Sequence, residues 1–318
     1  SNFAVHWVDD IVGLGVSPTA LGAKRTRGVM LGAGSLSAAD AVGIQVGGLA
    51  LALSGRSMGV QASGVVVFGG PLSGITVAGL FGWSEFGPMT GVNVGGIGLR
   101  APTVAGLSVG GLFVAGDERL TGINIAGLGV MAGDRLTGIG ASPLVFSPHI
   151  DGIATGGWVG RFGWARHPSD AATLRGIAVA GVVATDNLTG LSVAGYHRID
   201  TVQRGVCIGL VNDAGELHGI QVGILNTARN NRGAFRTLPV LNMHFGDARG
   251  QGRDALEFGP RTLADGLRLV LQPASALRAA LVPEEGPSRL RETSRDHSRL
   301  LAAEPADPRA LVFKEHVS

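Results

Sequence analysis

RLTGINIAGLGVMAGDRLTG, residues 119–138, decides how this chain is read: the phrase LTGI that begins at Leu120 begins again at Leu136. Ile123 and Ile125 alternate as a strand requires, and the next apolar pair, Leu128 and Val130, has the opposite parity. The alternation therefore implies a turn or bulge at Ala126-Gly127, where glycine has no side chain to clash. A polar break, AGDR at 132–135, precedes the next unit. On this reading Leu120, Ile123, Ile125, Leu128 and Val130 point inward.

The same register runs through most of the sequence. It reads GIQVGGL at Gly43, GVQASGV at Gly59, GITVAGL at Gly74, GVNVGGI at Gly91, GLSVGGL at Gly106 and GINIAGL at Gly122. It weakens at Gly138 and Gly152, then resumes as GIAVAGV at Gly176, GLSVAGY at Gly190, GVCIGLV at Gly205 and GIQVGIL at Gly219. Internal repetition at 14 to 17 residues is thus the primary fact about the protein.

Two architectures use such a unit. In a β-solenoid each unit is one coil that stacks on its neighbours at about 4.8 Å, so about a dozen coils build a stack of roughly 55–60 Å. In an up-and-down β-barrel each unit is one strand and a turn. The parity change favours the solenoid, because a barrel strand keeps one apolar face throughout. Aromatic residues are 5% of the chain with a single Tyr, too few for the girdles of an outer-membrane barrel. The expected fold is an all-β solenoid of about twelve coils, with the barrel as alternative. The expected divisions are an N-terminal cap at 1–27, the repeat domain at 28–245 and a partly helical C-terminal tail or cap at 246–318.

Composition sets the remaining bounds. Of 318 residues 53 are Gly and only 16% are charged, so the apolar side chains must stack regularly or meet a membrane. The net charge of +2 comes with no basic stripe, which argues against nucleic acid. Cys207 is the lone cysteine and gives no disulfide framework. SNFAVHWVDD lacks the pattern of a signal peptide. Gly59 to Ser84 is uncharged over a membrane-spanning length, but Pro71 and frequent Gly argue against a helix there.

With GIQVGGL at 43–49, GVCIGLVN at 205–212, GIQVGILN at 219–226 and the closing LPVLNMHF at 238–245, the chain resembles a bacterial family of surface repeat-containing proteins. Its units read Gly-aliphatic-Gln-aliphatic-(Ala/Gly)-Gly-Leu-x-Asn. The third-position Gln is kept only at Gln45, Gln61 and Gln221, and the trailing Asn is clear only at Asn212 and Asn226. The resemblance implies an exported, surface or outer-membrane bacterial protein without known catalytic activity or cofactor.

The most organised polar feature is the third-position column: Gln45, Gln61, Thr76, Asn93, Ser108 and Asn124. A solenoid with inward aliphatics turns it outward, as a ladder bonded along the stack or as a flat docking face. GLSVG at 106–110 matches the nucleophile-elbow expression, but Ser108 holds an ordinary repeat position, as Ser192 does. The interrupted column Ser73, Thr90, Thr121, Thr137 and Thr189 is too sparse for an ice-binding face. Cys207 falls at the ladder position, where a small filler role suffices.

The main irregularity is an insertion at 140–175 with His149, Asp151, Trp158, Arg161, Trp164, His167 and Asp170. Departures from a regular scaffold are where binding usually sits; no metal-ligand spacing supports an ion there. Trp83 and Phe86 extend an aromatic surface or pack on a neighbouring corner, and His6, Trp7, Asp9 and Asp10 read as the opening of a cap. His197, His218 and His244 lie at or beside repeat positions without forming a group. After Phe245 a polar linker leads to a plausible helix at 288–304. The expected function is a non-catalytic exported scaffold that presents its ladder face and insertion to a protein or glycan of the cell envelope, with membrane association open. An outer-membrane barrel and an enzyme with its site in the insertion are the alternatives.

Overall fold

Gly122 pairs in parallel with Gly106 on one side and Gly138 on the other, and this exchange, repeated along the chain, makes the protein a β-solenoid. The computed structural model describes residues 5–161 and 171–245. Fourteen glycines of positive φ, from Gly13 to Gly219, stand in one column. A Cβ on Gly122 would run into the carbonyl oxygen of Gly106. Only glycine lets successive coils close to hydrogen-bonding distance at this bend.

One coil has four parts. A long side such as Leu120–Ala126 leads through a glycine corner to a short side, Gly129–Ala132, and a polar corner returns the chain to the next long side at Arg135–Ala141. Neighbouring coils pair in parallel and in register from Val5–Ser17 and Ala20–Gly32 up to His149–Gly160 and the run Thr173–Ala228. An up-and-down barrel would need antiparallel neighbours, so that alternative is excluded. Because Val5–Ser17 pairs in parallel with Ala20–Gly32, the stack begins well before residue 28, and residues 5–27, expected to belong to a cap at 1–27, form coils of the stack. At the other end Thr237–His244 folds back antiparallel on the last long side, Gly219 opposite His244.

The inward set differs from the expectation. Leu120, Asn124, Ala126, Val130 and Ala132 are buried, whereas Ile125 and Leu128 are 42% and 52% exposed and Ile123 is half-buried. Among the residues with side chains, the buried positions share one parity. In this coil the glycine corner takes up Gly127 and Leu128 as a pair, so the alternation passes through it without a switch. Alternation says which residues share a face, but Leu120 and Val130 choose the inner one, and Asn124 goes in with them. From Gly138 onward the corner is one residue shorter: Val145, seven residues after its column glycine, stacks over Val130, eight after its own. The parity does switch in those coils.

Aliphatic columns fill the interior. Leu72, Met89, Val104, Leu120, Leu136 and Ile150 follow one another on the long side, and Leu51, Val67, Leu99, Val114, Val130 and Val145 line the short side with Gly82 between Val67 and Leu99, all six aliphatics of each side within 1% of full burial. Each fully buried aliphatic side chain contributes about 1.5–3 kcal/mol. Charges gather at the polar corner as pairs that bridge adjacent coils: Asp10 with Arg25, Arg100 with Asp117, Arg135 with Asp151 and Arg229 with Asp213. Exposed pairs of this kind are worth about 0–1 kcal/mol each.

Candidate functional site

Gln45, Gln61, Thr76, Asn93, Ser108 and Asn124 do stack on one another, but inside the solenoid, each at 0% exposure. The expected outward ladder face is therefore corrected: these side chains cannot dock a partner. The column continues inward through Ala154, Ala178, Ser192, Cys207 and Gln221. Burial pushes the Cys207 thiol up, away from the reactive thiolate. Ser108 is likewise sealed from substrate.

The residues expected in an insertion divide in two. His149, Asp151 and Trp158 belong to a regular coil that pairs below with Arg135–Ala141 and Leu144–Phe146 and above with Thr173–Ala184. His149 Nδ1 shares a hydrogen bond with Thr173 Oγ1 at 2.9 Å, and Arg135 donates to Asp151 at 2.9 Å. Residues 162–170, with Trp164, His167 and Asp170, lie outside the described residues. The base of that segment is defined: Asp186 Oδ2 accepts from Arg161 Nη1 at 3.2 Å and from the Ala172 backbone N–H at 2.7 Å. No group of three metal-ligating side chains occurs among the described residues.

A polar cluster that the sequence did not group lies in the last coils. Ser192 Oγ is 2.7 Å from His197 Nε2, and His197 Nδ1 is 2.6 Å from Asn212 Oδ1. Asn212 Nδ2 donates to Asn226 Oδ1 at 2.7 Å, and Asn226 donates to the carbonyls of Gly223 and Leu238. Because Asn212 turns its amide nitrogen to Asn226, its oxygen accepts from His197 Nδ1–H, and Nε2 is left to accept from the Ser192 hydroxyl. This is the donor order of a nucleophile, base and orienting residue. All three side chains are at 0% exposure, and no substrate reaches them. Burial holds the imidazole down to about 4, partly opposed by its Asn212 hydrogen bond. The signal for this cluster was the shortened glycine corner, which alone turns His197 inward beside Ser192.

The exterior carries the other unexpected order. The residues one and three places after each column glycine face out from the long side. Of these 28 positions 27 are Val, Ile, Leu or Ala, with Thr155 the exception. Ile44, Ile75, Leu107, Leu191 and Ile208 are about two-fifths exposed, as are Val46, Val77 and Ile125. The short side carries aromatic rings that touch one another and are exposed to a similar degree. Phe68 meets Trp83 edge-on at 5.8 Å, Phe81 reaches Phe113 at 6.2 Å across Gly98, and Phe146 meets Trp158 at 6.4 Å. Arg100 lies over Trp83 at 5.8 Å. Phe86 is 79% exposed, apart from this group. An open depression of about 440 Å³ lies in the closing segment around Asn231, Phe235 and Asn242.

No protein-family model, curated protein or solved structure matches the chain.

Proposed function

We propose that the protein is a non-catalytic structural scaffold, exported to the bacterial surface or envelope, whose regular exterior seats a macromolecular partner. The observation that carries this reading is the pair of aliphatic columns on the long side. Soluble proteins rarely leave so continuous an apolar strip bare, and such strips mark contact surfaces. Ser108, Ser192, His197 and Cys207 are buried. The location rests on the resemblance of GIQVGGL, GVCIGLVN, GIQVGILN and LPVLNMHF to surface repeat proteins.

One observation favours a glycan at a second place. Phe68, Trp83 and Trp158 on the short side are about two-fifths exposed, and aromatic faces of this kind stack on sugar rings. Labelling of intact cells with an antibody to the chain tests the location: signal without permeabilisation is expected, and signal only after permeabilisation would overturn it. For the scaffold reading, an active-site fluorophosphonate is expected to leave the folded protein unlabelled. Stoichiometric labelling of Ser108 or Ser192 would overturn the non-catalytic reading.

A further inference from the structure

We infer that the long-side face is the interface of a homodimer, two copies packing aliphatic column against aliphatic column about a two-fold axis. This deepens the scaffold reading, on which it rests only in taking that face as a contact surface. Fourteen rungs at about 4.8 Å give a strip about 62 Å long, and two columns about 7 Å apart give it a footprint about 12 Å wide. Pairing two such strips buries on the order of 1,500 Å², close to the roughly 1,600 Å² of a standard stable interface.

Periodicity selects the occupant. The side chains stand in rows that repeat with the coil, so the grooves between rungs accept ridges of the same spacing along their whole length. A second copy supplies that spacing, as one sheet does for another in a face-to-face sandwich about 10 Å apart. A two-fold axis makes the patch self-complementary and leaves no open end to propagate. A bilayer fits less well, since neither column contains the Trp, Tyr, Lys or Arg that anchor a surface-bound element at the headgroups.

Sedimentation equilibrium of the full chain at micromolar concentration tests the proposal. A mass twice the 32.3 kDa of one chain is expected. The double variant Val77→Asp/Ile125→Asp, at two exposed positions, is expected to be monomeric with unchanged circular dichroism. Leu107→Cys, beside the midpoint of the stack, keeps the test open if that variant unfolds. It is expected to crosslink copy to copy through a short bis-maleimide, while the buried Cys207 of the unmodified chain does not. A monomeric parent chain, a dimer that survives the double substitution, or an uncrosslinked Leu107→Cys would each sink the dimer. A monomer that floats with phosphatidylcholine vesicles would replace it with a lipid surface. None of these outcomes touches the cell-labelling test, so failure here is separable from failure of the surface location.

Discussion

His197 Nδ1 lies 2.6 Å from Asn212 Oδ1, one coil away, in a column that, apart from Gly82, is aliphatic through Leu51, Val67, Leu99, Val114, Val130, Val145, Val159 and Val183 before it turns polar. Only in the last coils does this column carry hydrogen-bonding groups, and there it joins the closing strand through Asn226 and Leu238. The polar end of the core thereby ties the fold-back to the stack.

Acid is expected to loosen this end first. The folded chain holds His197 at about 4, below its ordinary 6.5, so the unfolded chain takes up the proton more readily. The stability this group contributes is complete above about pH 6.5, falls as the pH drops towards about 4, and is then level. The loss is about 3 kcal/mol, by the free energy of one pKa unit. Denaturant midpoints measured across this range check it, and His197→Gln is expected to remove most of the slope.

Asn124 and Ile125 exchange the sensitivities that hydrophobicity alone assigns them. Asn124 is fully buried with neither amide atom hydrogen-bonded within the protein, and Ile125 is on the exterior. Asn124→Leu is expected to stabilise the chain by about 1–3 kcal/mol, the cost of an unsatisfied buried group. Asn124→Asp is expected to lose several kcal/mol by burying a charge, while Ile125→Asp changes the stability of the isolated chain by about 0.5 kcal/mol. Equal losses for the two aspartates would mean the inward register is wrong.

Gly122 and Gly129 separate a required glycine from a tolerant one. Gly122 has φ +96° and its missing Cβ points at the Gly106 carbonyl, so Gly122→Ala is expected to cost at least about 2–3 kcal/mol. At Gly129 the nearest atom to an added Cβ is the Leu144 carbonyl oxygen at 3.9 Å. Gly129→Ala is expected to be neutral or to stabilise by up to about 1 kcal/mol, since alanine is the better strand residue. Thermal melts of the two variants decide the matter.

Val240 is strained. It has φ +67° where the closing strand shifts register between Gly223 and Asn226, a conformation that β-branched residues avoid. Val240→Gly is expected to stabilise the chain by about 1–2 kcal/mol through relief of that strain, read from the denaturant midpoint. A destabilised variant would show that the exposed valine side chain is worth more than its backbone costs.

Asp186 joins the two borders of the 162–170 segment through Arg161 and Ala172. Asp186→Ala is expected to speed tryptic cleavage after Arg161 several-fold, at a cost of about 1–3 kcal/mol for two lost hydrogen bonds to a charged group. Unchanged cleavage would mean that the neighbouring backbone ladder holds these borders without it.

The repeat of Gly-aliphatic-x-aliphatic determined the stacked β architecture and placed its glycines, because only glycine fits where one coil's carbonyl fills the space of the next coil's side chain. It also marked the column from Gln45 to Asn124 as one structural series. Which face of that series is inside was decided only in three dimensions. A corner of one length carries the alternation through and a corner one residue shorter reverses it, and the sequence of a single coil does not display corner geometry. Asn124 went into the core beside Leu120 and left Ile125 outside, as its counterparts do in coils of either corner length, whereas the shorter corner reset the short side of the later coils. It also brought His197 under Ser192, turning residues that look unrelated along the chain into the polar end of the stack.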